Sequence, residues 1–213
     1  MTDNTAPVLC LASGSAQRKA LLEQIGVHAL VRPMDIDEQR LGNEAVEDYV
    51  SRLAVGKARA GFESVAGALP TLGADTVISL DGDILGKPAD RADAVDMLSR
   101  LSGRTHVVVT GAGIVTTTGV RLVVVSTRVT VGQLSAADID RYWQSGEPVG
   151  KAGAYAIQGA GAALIRRLEG SYSNVVGLPL FEVADLLAYA GISTLRQGSV
   201  TDLTNPELDI RSG

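Results

Sequence analysis

The chain has 213 residues, with 19 Lys+Arg against 24 Asp+Glu for a formal net charge of −5, and it is 46% hydrophobic but only 4% aromatic. That apolar share excludes global disorder and supplies the core of one domain at this length. The acidic balance and the scarcity of rings argue against broad electrostatic binding to duplex nucleic acid and against a base-stacking platform, so a nucleic-acid-like partner is expected to be small, and no polymer.

The start, Met1-Thr2-Asp3-Asn4, is acidic and the apolar run after it is short, so neither a secretory leader nor a membrane-crossing helix is expected. Val8 to Ala12 reads as a strand, and its Cys10, the single cysteine, reads as inert core in a reducing, cytoplasmic setting. Ser13-Gly14-Ser15 is a tight polar loop, and Ala16 to Ile25 a helix stopped by Gly26. Asn43 is expected to cap a second helix whose apolar stripe, Val46, Val50 and Leu53, continues at the same spacing to Lys57, which ends the apolar face. Leu72 to Leu80, the Asp81-Gly82 turn and Asp83 to Gly86 form a hairpin, and Asp90 with Asp93 caps a helix ending near Gly103.

Val107 to Val115 and Leu122 to Val131 are strands of one sheet separated by Thr118-Gly119, and Ser135 with Asp138 opens a helix that runs to Ser145. Glycine-rich Gly150 to Gly161 leads into a short strand near Ala163 to Arg167, and Pro179 to Tyr189 is the last helix, stopped by Gly191. Residues 1–192 are expected to form a single domain and residues 193–213 a polar tail. Strands cluster mid-chain with helices on either side, so the expected fold is α/β (α+β), a mixed β-sheet flanked by helices with a cleft.

Familiar signatures fail on spacing. Gly82 to Pro88 has one residue too few between its glycines for a phosphate loop, and Pro88 stands where a magnesium-binding hydroxyl belongs. Gly159 to Leu164 lacks the third small residue of a dinucleotide fingerprint and precedes a strand. No serine lies in a G-x-S-x-G elbow, and His28, His106 and Cys10 offer no zinc spacing, so both histidines read as ordinary surface or strand residues.

What remains is charge at element ends, where an anionic ligand and a divalent cation would be held. Ser13, Ser15, Arg18 and Lys19 gather at a strand-to-helix junction that favours phosphate, although the same residues also serve as a helix cap beside two solvated cations. Asp75 lies inside the apolar run Leu72 to Ile78, where a carboxylate needs a metal ion or a lysine beside it. Lys87 is the candidate from the hairpin. A two-residue loop sets Thr76 opposite Lys87, whereas a three-residue loop with a glycine bulge at Gly82 sets Asp75 there, and a catalytic reading prefers the second register. Glu38, in Asp35-Ile36-Asp37-Glu38, and Lys57 complete a set suited to a triphosphate with a metal, although Lys57 can also snorkel to solvent.

Taken together, Leu11 to Leu22, Asp37-Glu38, Gly73 to Val77 and Leu85 to Pro88 resemble the Maf family of nucleotide pyrophosphatases. Leu101 to His106, Gly146-Glu147-Pro148, Lys151 to Gly159 and Asn174 to Pro179 follow the same pattern in order, over roughly residues 8–190. The resemblance implies a mixed, strongly twisted sheet related to the inosine triphosphatase fold, two lobes around a cleft, and a homodimer. It implies hydrolysis of a nucleoside triphosphate to the monophosphate and pyrophosphate with a divalent metal such as Mg, Mn or Co. By resemblance Asp75 is the general base and a metal-site carboxylate, Glu38 the second metal carboxylate, Arg18, Lys57 and Lys87 the cations around the triphosphate, and Ser13 and Ser15 holders of phosphate oxygens.

Thr76 and Gln158 match the branch acting on dTTP and UTP, whereas the 7-methyl-GTP branch carries Gln and Glu there. Gln17 departs from the pattern, because the pyrimidine branch carries arginine before Arg18. The alternatives are a 7-methyl-GTP pyrophosphatase of the same family and a nucleotide-binding regulator of septum formation.

Overall fold

A computed structural model describes residues 6–195, so the tail expected over residues 193–213 lies outside the described residues from 196 onward. In chain order the elements are β1 (Leu9–Leu11), α1 (Ala16–Gln24), β2 (Ala29–Val31), α2 (Val46–Ser64), β3 (Thr71–Leu80), β4 (Asp83–Leu85), α3 (Arg91–Leu101), β5 (Thr105–Thr116), β6 (Gly119–Val131), α4 (Ala136–Gln144), two 3-10 turns (Ala152–Ala154 and Gly159–Leu164), β7 (Ile165–Glu169), α5 (Tyr172–Val176) and α6 (Leu180–Tyr189).

The strands make one mixed sheet in the order β2-β1-β3-β5-β6-β7, with β4 also paired to β3. β2, β1 and β3 run parallel, while β3, β5, β6 and β7 alternate antiparallel. This is the mixed α/β architecture with flanking helices that the sequence leads one to expect. β3 is paired unevenly. On one side β5 follows it from Thr71 to Ser79. On the other, β1 meets only Thr71 and Leu72, and β4 meets only Ile78 to Leu80. The stretch Gly73 to Val77 is left without a strand on that side, and Asp75 and Thr76 stand in the gap.

Alternation along β3 and β5 sorts side chains onto two faces. One face packs on α2 with almost no side chain between. A Cβ on Gly73 would strike Ala54 O and Ala58 N of α2, and one on Gly111 would lie 2.5 Å from Val50 O. Only glycine lets the helix approach the sheet this closely. The other face carries two apolar clusters. Leu72, Ala74, Ala112 and Ile114 pack with Leu9, Leu11, Leu22 of α1 and Leu186, Leu187 of α6. Ile78, Leu80, Val108 and Val129 pack with Leu98 and Leu101 of α3 and Ile139 of α4.

Between the clusters runs a polar band. Thr76 and Thr110 sit opposite one another with their hydroxyls 2.9 Å apart, and Asn174 Nδ2 donates to Val108 O at 3.2 Å and to Thr127 Oγ1 at 2.9 Å. Thr110, Thr127 and Asn174 are fully buried, and among the described residues Asn174 Oδ1 has no hydrogen-bond partner.

Several local expectations are corrected. Asn43 does not cap α2: its N-cap is Ala45, with no side-chain bond, and the helix gains Glu47 and Asp48 at its positive end instead. Lys57 does not end the buried face, which continues through Ala58 and Gly61. The Asp81-Gly82 turn has two residues, both with positive φ (+54° and +89°), which suits a type I′ hairpin and pairs Leu80 with Asp83 and Ile78 with Leu85. The three-residue register that would set Asp75 opposite Lys87 is therefore wrong. β5 and β6 extend to a turn at Thr117-Thr118, with Gly119 already in β6. The short β2 and α5 are additions that the sequence reading lacked.

Candidate active site

The loop from β1 to α1 orders one cation. Ser15 caps α1 by accepting from Arg18 N at 3.3 Å, and Ser13 Oγ accepts from Ser15 N at 3.2 Å. The Arg18 guanidinium then spreads over three acceptors: Ser13 Oγ at 3.1 Å, Thr76 Oγ1 at 3.0 Å and Gly177 O at 2.8 Å. All three are uncharged, so Arg18 keeps its full charge unpaired while its geometry is fixed. Burial lowers its pKa, and the negative charges of Asp75 and Glu38 oppose that shift. Lys19, at the same junction, is exposed and pairs with Glu23 at 2.6 Å.

Asp75 does have a lysine beside it, but not the one expected. Lys57 Nζ lies 2.7 Å from Asp75 Oδ1 and 2.6 Å from Glu38 Oε1. Lys57 is 8% exposed, so its side chain is inside the site rather than snorkelling. α2 holds all three parts. It presents Lys57 to the sheet across the glycine contact, and its Tyr49 hydroxyl donates to Glu38 O at 2.9 Å. Arg52 donates to Gln39 O at 2.9 Å and grips Glu44 with two bonds of 2.7 and 2.8 Å, so the irregular segment carrying Glu38 is tied to the helix.

The opposite wall is made of loops. Gly86 and Lys87 follow β4, and Gly153 N donates to Gly86 O at 2.9 Å, joining that loop to the segment after α4. That segment brings Glu147, Lys151, Tyr155 and Gln158 to the cavity. Tyr155 is backed by His106, whose Nε2 lies 2.7 Å from the tyrosine oxygen. Burial lowers the His106 pKa to about 4 and raises that of Cys10, which lies in the core of β1.

Ten of the residues singled out from the sequence, Ser13, Ser15, Gln17, Arg18, Glu38, Lys57, Asp75, Thr76, Lys87 and Gln158, line one cavity of about 810 Å³, and Lys19 is not among its lining. A nucleotide is of the size such a cavity takes. Sequence reasoning gave no part to Lys151, Glu147 or Tyr155. A clue to Lys151 was available, since it opens one of the blocks that carry the family resemblance. The cavity is lined by Arg18, Lys57, Lys87 and Lys151 together with Glu38, Asp75 and Glu147. Lys57 is matched by two carboxylates and Lys151 lies within the field of Glu147, whereas Arg18 and Lys87 form no ion pair with another described residue and offer their charge to an anionic ligand.

A divalent cation fits the donor set in one way. Among the described residues no group of three or more His, Cys, Asp or Glu could hold a metal alone. Asp75 and Glu38, however, converge within 2.7 Å of a single atom and supply hard oxygen donors. A magnesium-like ion is commonly held by one or two carboxylates together with substrate phosphates and water.

The family model described as Maf-like protein matches residues 8–190. The dTTP/UTP pyrophosphatase of Alkalilimnicola ehrlichii is 47% identical over 186 residues, 85% of this chain and 92% of that protein. The proteins of the same name from Bordetella avium and Pseudoalteromonas translucida are 48% and 49% identical, over 88% and 83% of this chain and 97% and 94% of theirs. Among solved structures, the nucleoside-triphosphatase or dITP/XTP pyrophosphatase of Mycobacterium abscessus overlaps with a TM-score of 0.43 at 20% identity, covering 60% of this chain and 76% of that one.

Proposed function

The chain belongs to the Maf family, and from that premise we propose that it is a nucleoside triphosphate pyrophosphatase that hydrolyses dTTP and UTP to the monophosphate and pyrophosphate. The observation that carries the reading is the meeting of Asp75 and Glu38 on Lys57 inside a cavity that Arg18 and Lys87 also line, neither of them ion-paired with another described residue.

In this reading Asp75 is the general base that takes the proton of the attacking water. Lys57 Nζ, 2.7 Å from Asp75 Oδ1, holds that carboxylate in place. Arg18, oriented by three neutral acceptors, meets the phosphate charge that builds as the anhydride bond between the α and β phosphates breaks, while Lys87, on a loop, helps to bind the triphosphate. A cation fixed as Arg18 is needs no reorganisation at the moment of reaction, which is where its catalytic value lies. Ser13 and Ser15 hold phosphate oxygens at the start of α1. No serine or cysteine nucleophile is called for. Asp75 and Glu38 would hold a divalent ion such as Mg, Mn or Co, which supplies Lewis acidity toward the phosphate oxygens.

Gln158, Thr76 and Gln17 form the base-selective part of the cavity, and the Gln158 amide can pair with a pyrimidine edge. The same reading takes residues 1–192 as one catalytic domain and the enzyme as a cytoplasmic homodimer; light scattering of the native species checks the oligomer. Among the described residues no helix is long and apolar enough to cross a membrane.

The test is a hydrolysis panel of dTTP, UTP, CTP, 7-methyl-GTP and ITP with added divalent metal, separating pyrophosphate from orthophosphate. Pyrophosphate released mainly from dTTP and UTP is the expected result. Turnover mainly of 7-methyl-GTP overturns the substrate assignment, and silence across the panel overturns the enzyme.

A further inference from the structure

The segment that carries Gln158 is anchored from a single place. Tyr142, near the end of α4, accepts from Ala156 N at 2.9 Å through its hydroxyl oxygen. Glu147, in the loop that follows α4, accepts from Ala160 N at 2.8 Å through Oε1 and from Gly161 N at 3.0 Å through Oε2. One carboxylate thus takes two amides at the start of the 3-10 turn Gly159–Leu164, a charge-assisted bidentate contact with groups the turn cannot satisfy itself. The same bonds hold the Glu147 carboxyl below its ordinary pKa.

Two glycines make the fit close. Gly159 has φ +70°, and a Cβ there would run into the Glu147 carboxylate. A Cβ on Gly161 would lie 2.5 Å from the Tyr142 hydroxyl oxygen. The backbone from Ala156 to Gly161 is therefore pressed against Tyr142 and Glu147. Gln158 lies between the anchors in extended conformation, with an exposed side chain that faces the cavity and bonds to no other described residue. Only its backbone fixes where its amide points.

We propose that Glu147 is a positioning residue: by clamping the turn after Gln158 it aims the Gln158 amide at the base and so sets affinity for the pyrimidine nucleotide. This rests on the reading of Gln158 as a base contact. The chemistry at Asp75 lies on other elements, so loss of the clamp is felt in binding rather than turnover.

A double-mutant cycle with dTTP tests it. Glu147→Ala and Gln158→Ala are each expected to raise KM about tenfold with kcat within about twofold, the size of one strong hydrogen bond lost. The double variant is expected to match Gln158→Ala, because the clamp has no remaining side chain to aim. Glu147→Gln keeps the shape but can accept only one of the two amides, and its KM is expected to fall between wild type and Glu147→Ala; it carries the cycle if the alanine variant does not fold. Effects that multiply in the double variant overturn the proposal and leave the base reading standing, as does a Glu147→Ala loss confined to kcat. A Gln158→Ala variant with unchanged KM overturns the base reading and the proposal together.

Discussion

On one wall of the cavity Asp75, Lys57 and Arg18 stand on β3, α2 and α1, each fixed by contacts between 2.6 and 3.1 Å. On the other, Lys87, Lys151 and Gln158 stand on loops, and their side chains form no hydrogen bond or ion pair with another described residue. Charges that must already be in place when a bond breaks sit on regular elements and are prearranged. Groups that meet the outer parts of a ligand are left to be ordered by it, at some cost in affinity. The first wall should govern kcat and the second KM.

Asp75→Asn is the hardest blow to that division. It keeps the side-chain shape and leaves Glu38 on Lys57, so the fold should survive while pyrophosphate release falls on the order of a thousandfold. A variant within tenfold of wild type at saturating metal would remove the base from this wall.

Besides the bonds from Tyr142 and Glu147, the loop wall is supported by the His106–Tyr155 pair. In the folded chain His106 titrates at about 4, against 6.5 ordinarily, so the unfolded chain takes up the proton first as pH falls. The stabilisation is whole above pH 6.5, is lost progressively between 6.5 and 4, and changes no further below 4. It amounts to at most about 3 kcal/mol. Thermal melts should therefore lose more stability between pH 6.5 and 5 in wild type than in His106→Gln, and equal slopes would mean that burial does not hold His106 neutral.

Lys87→Ala should raise KM about tenfold with little change in kcat or melting temperature, since the ammonium forms no hydrogen bond or ion pair with another described residue that its loss would leave unsatisfied. A large fall in kcat would move Lys87 to the first wall. The smallest effect is expected of Gln17→Arg, a shift of a few-fold in favour of dTTP and UTP over other triphosphates, read from kcat/KM ratios.

How much of this the sequence carries depends on the distance over which each feature is decided. Asp75 is conspicuous because a lone carboxylate in an apolar strand demands a partner, and the strand was legible. Which lysine answers it was not, because that depends on how closely α2 approaches the sheet, and Gly73 and Gly111 set that distance from another part of the chain. The hairpin register was decidable locally, since Asp-Gly suits the two-residue turn, but preference for a catalytic pairing pointed the other way. Asn43 has the chemistry of a cap, yet the chain enters α2 at Ala45 while Arg40, Glu44 and Arg52 tie down the segment before it. The role of Glu147 was hidden because its partners are backbone amides, which leave no mark on composition.

The polar band of Thr76, Thr110, Thr127 and Asn174 bears on how the molecule comes apart. The two apolar clusters share the strands that cross the band, but each has its own helices: α1 and α6 for one, α3 and α4 for the other. Hydrogen bonds across a seam resist shear without tying the two packings together as a continuous oily core would. Exchange of backbone amides with deuterium should therefore proceed in two cooperative blocks of different free energy, with the boundary at the threonines. The substrate cavity reaches that boundary at Thr76, so a bound nucleotide would staple the two blocks and bring their exchange rates together.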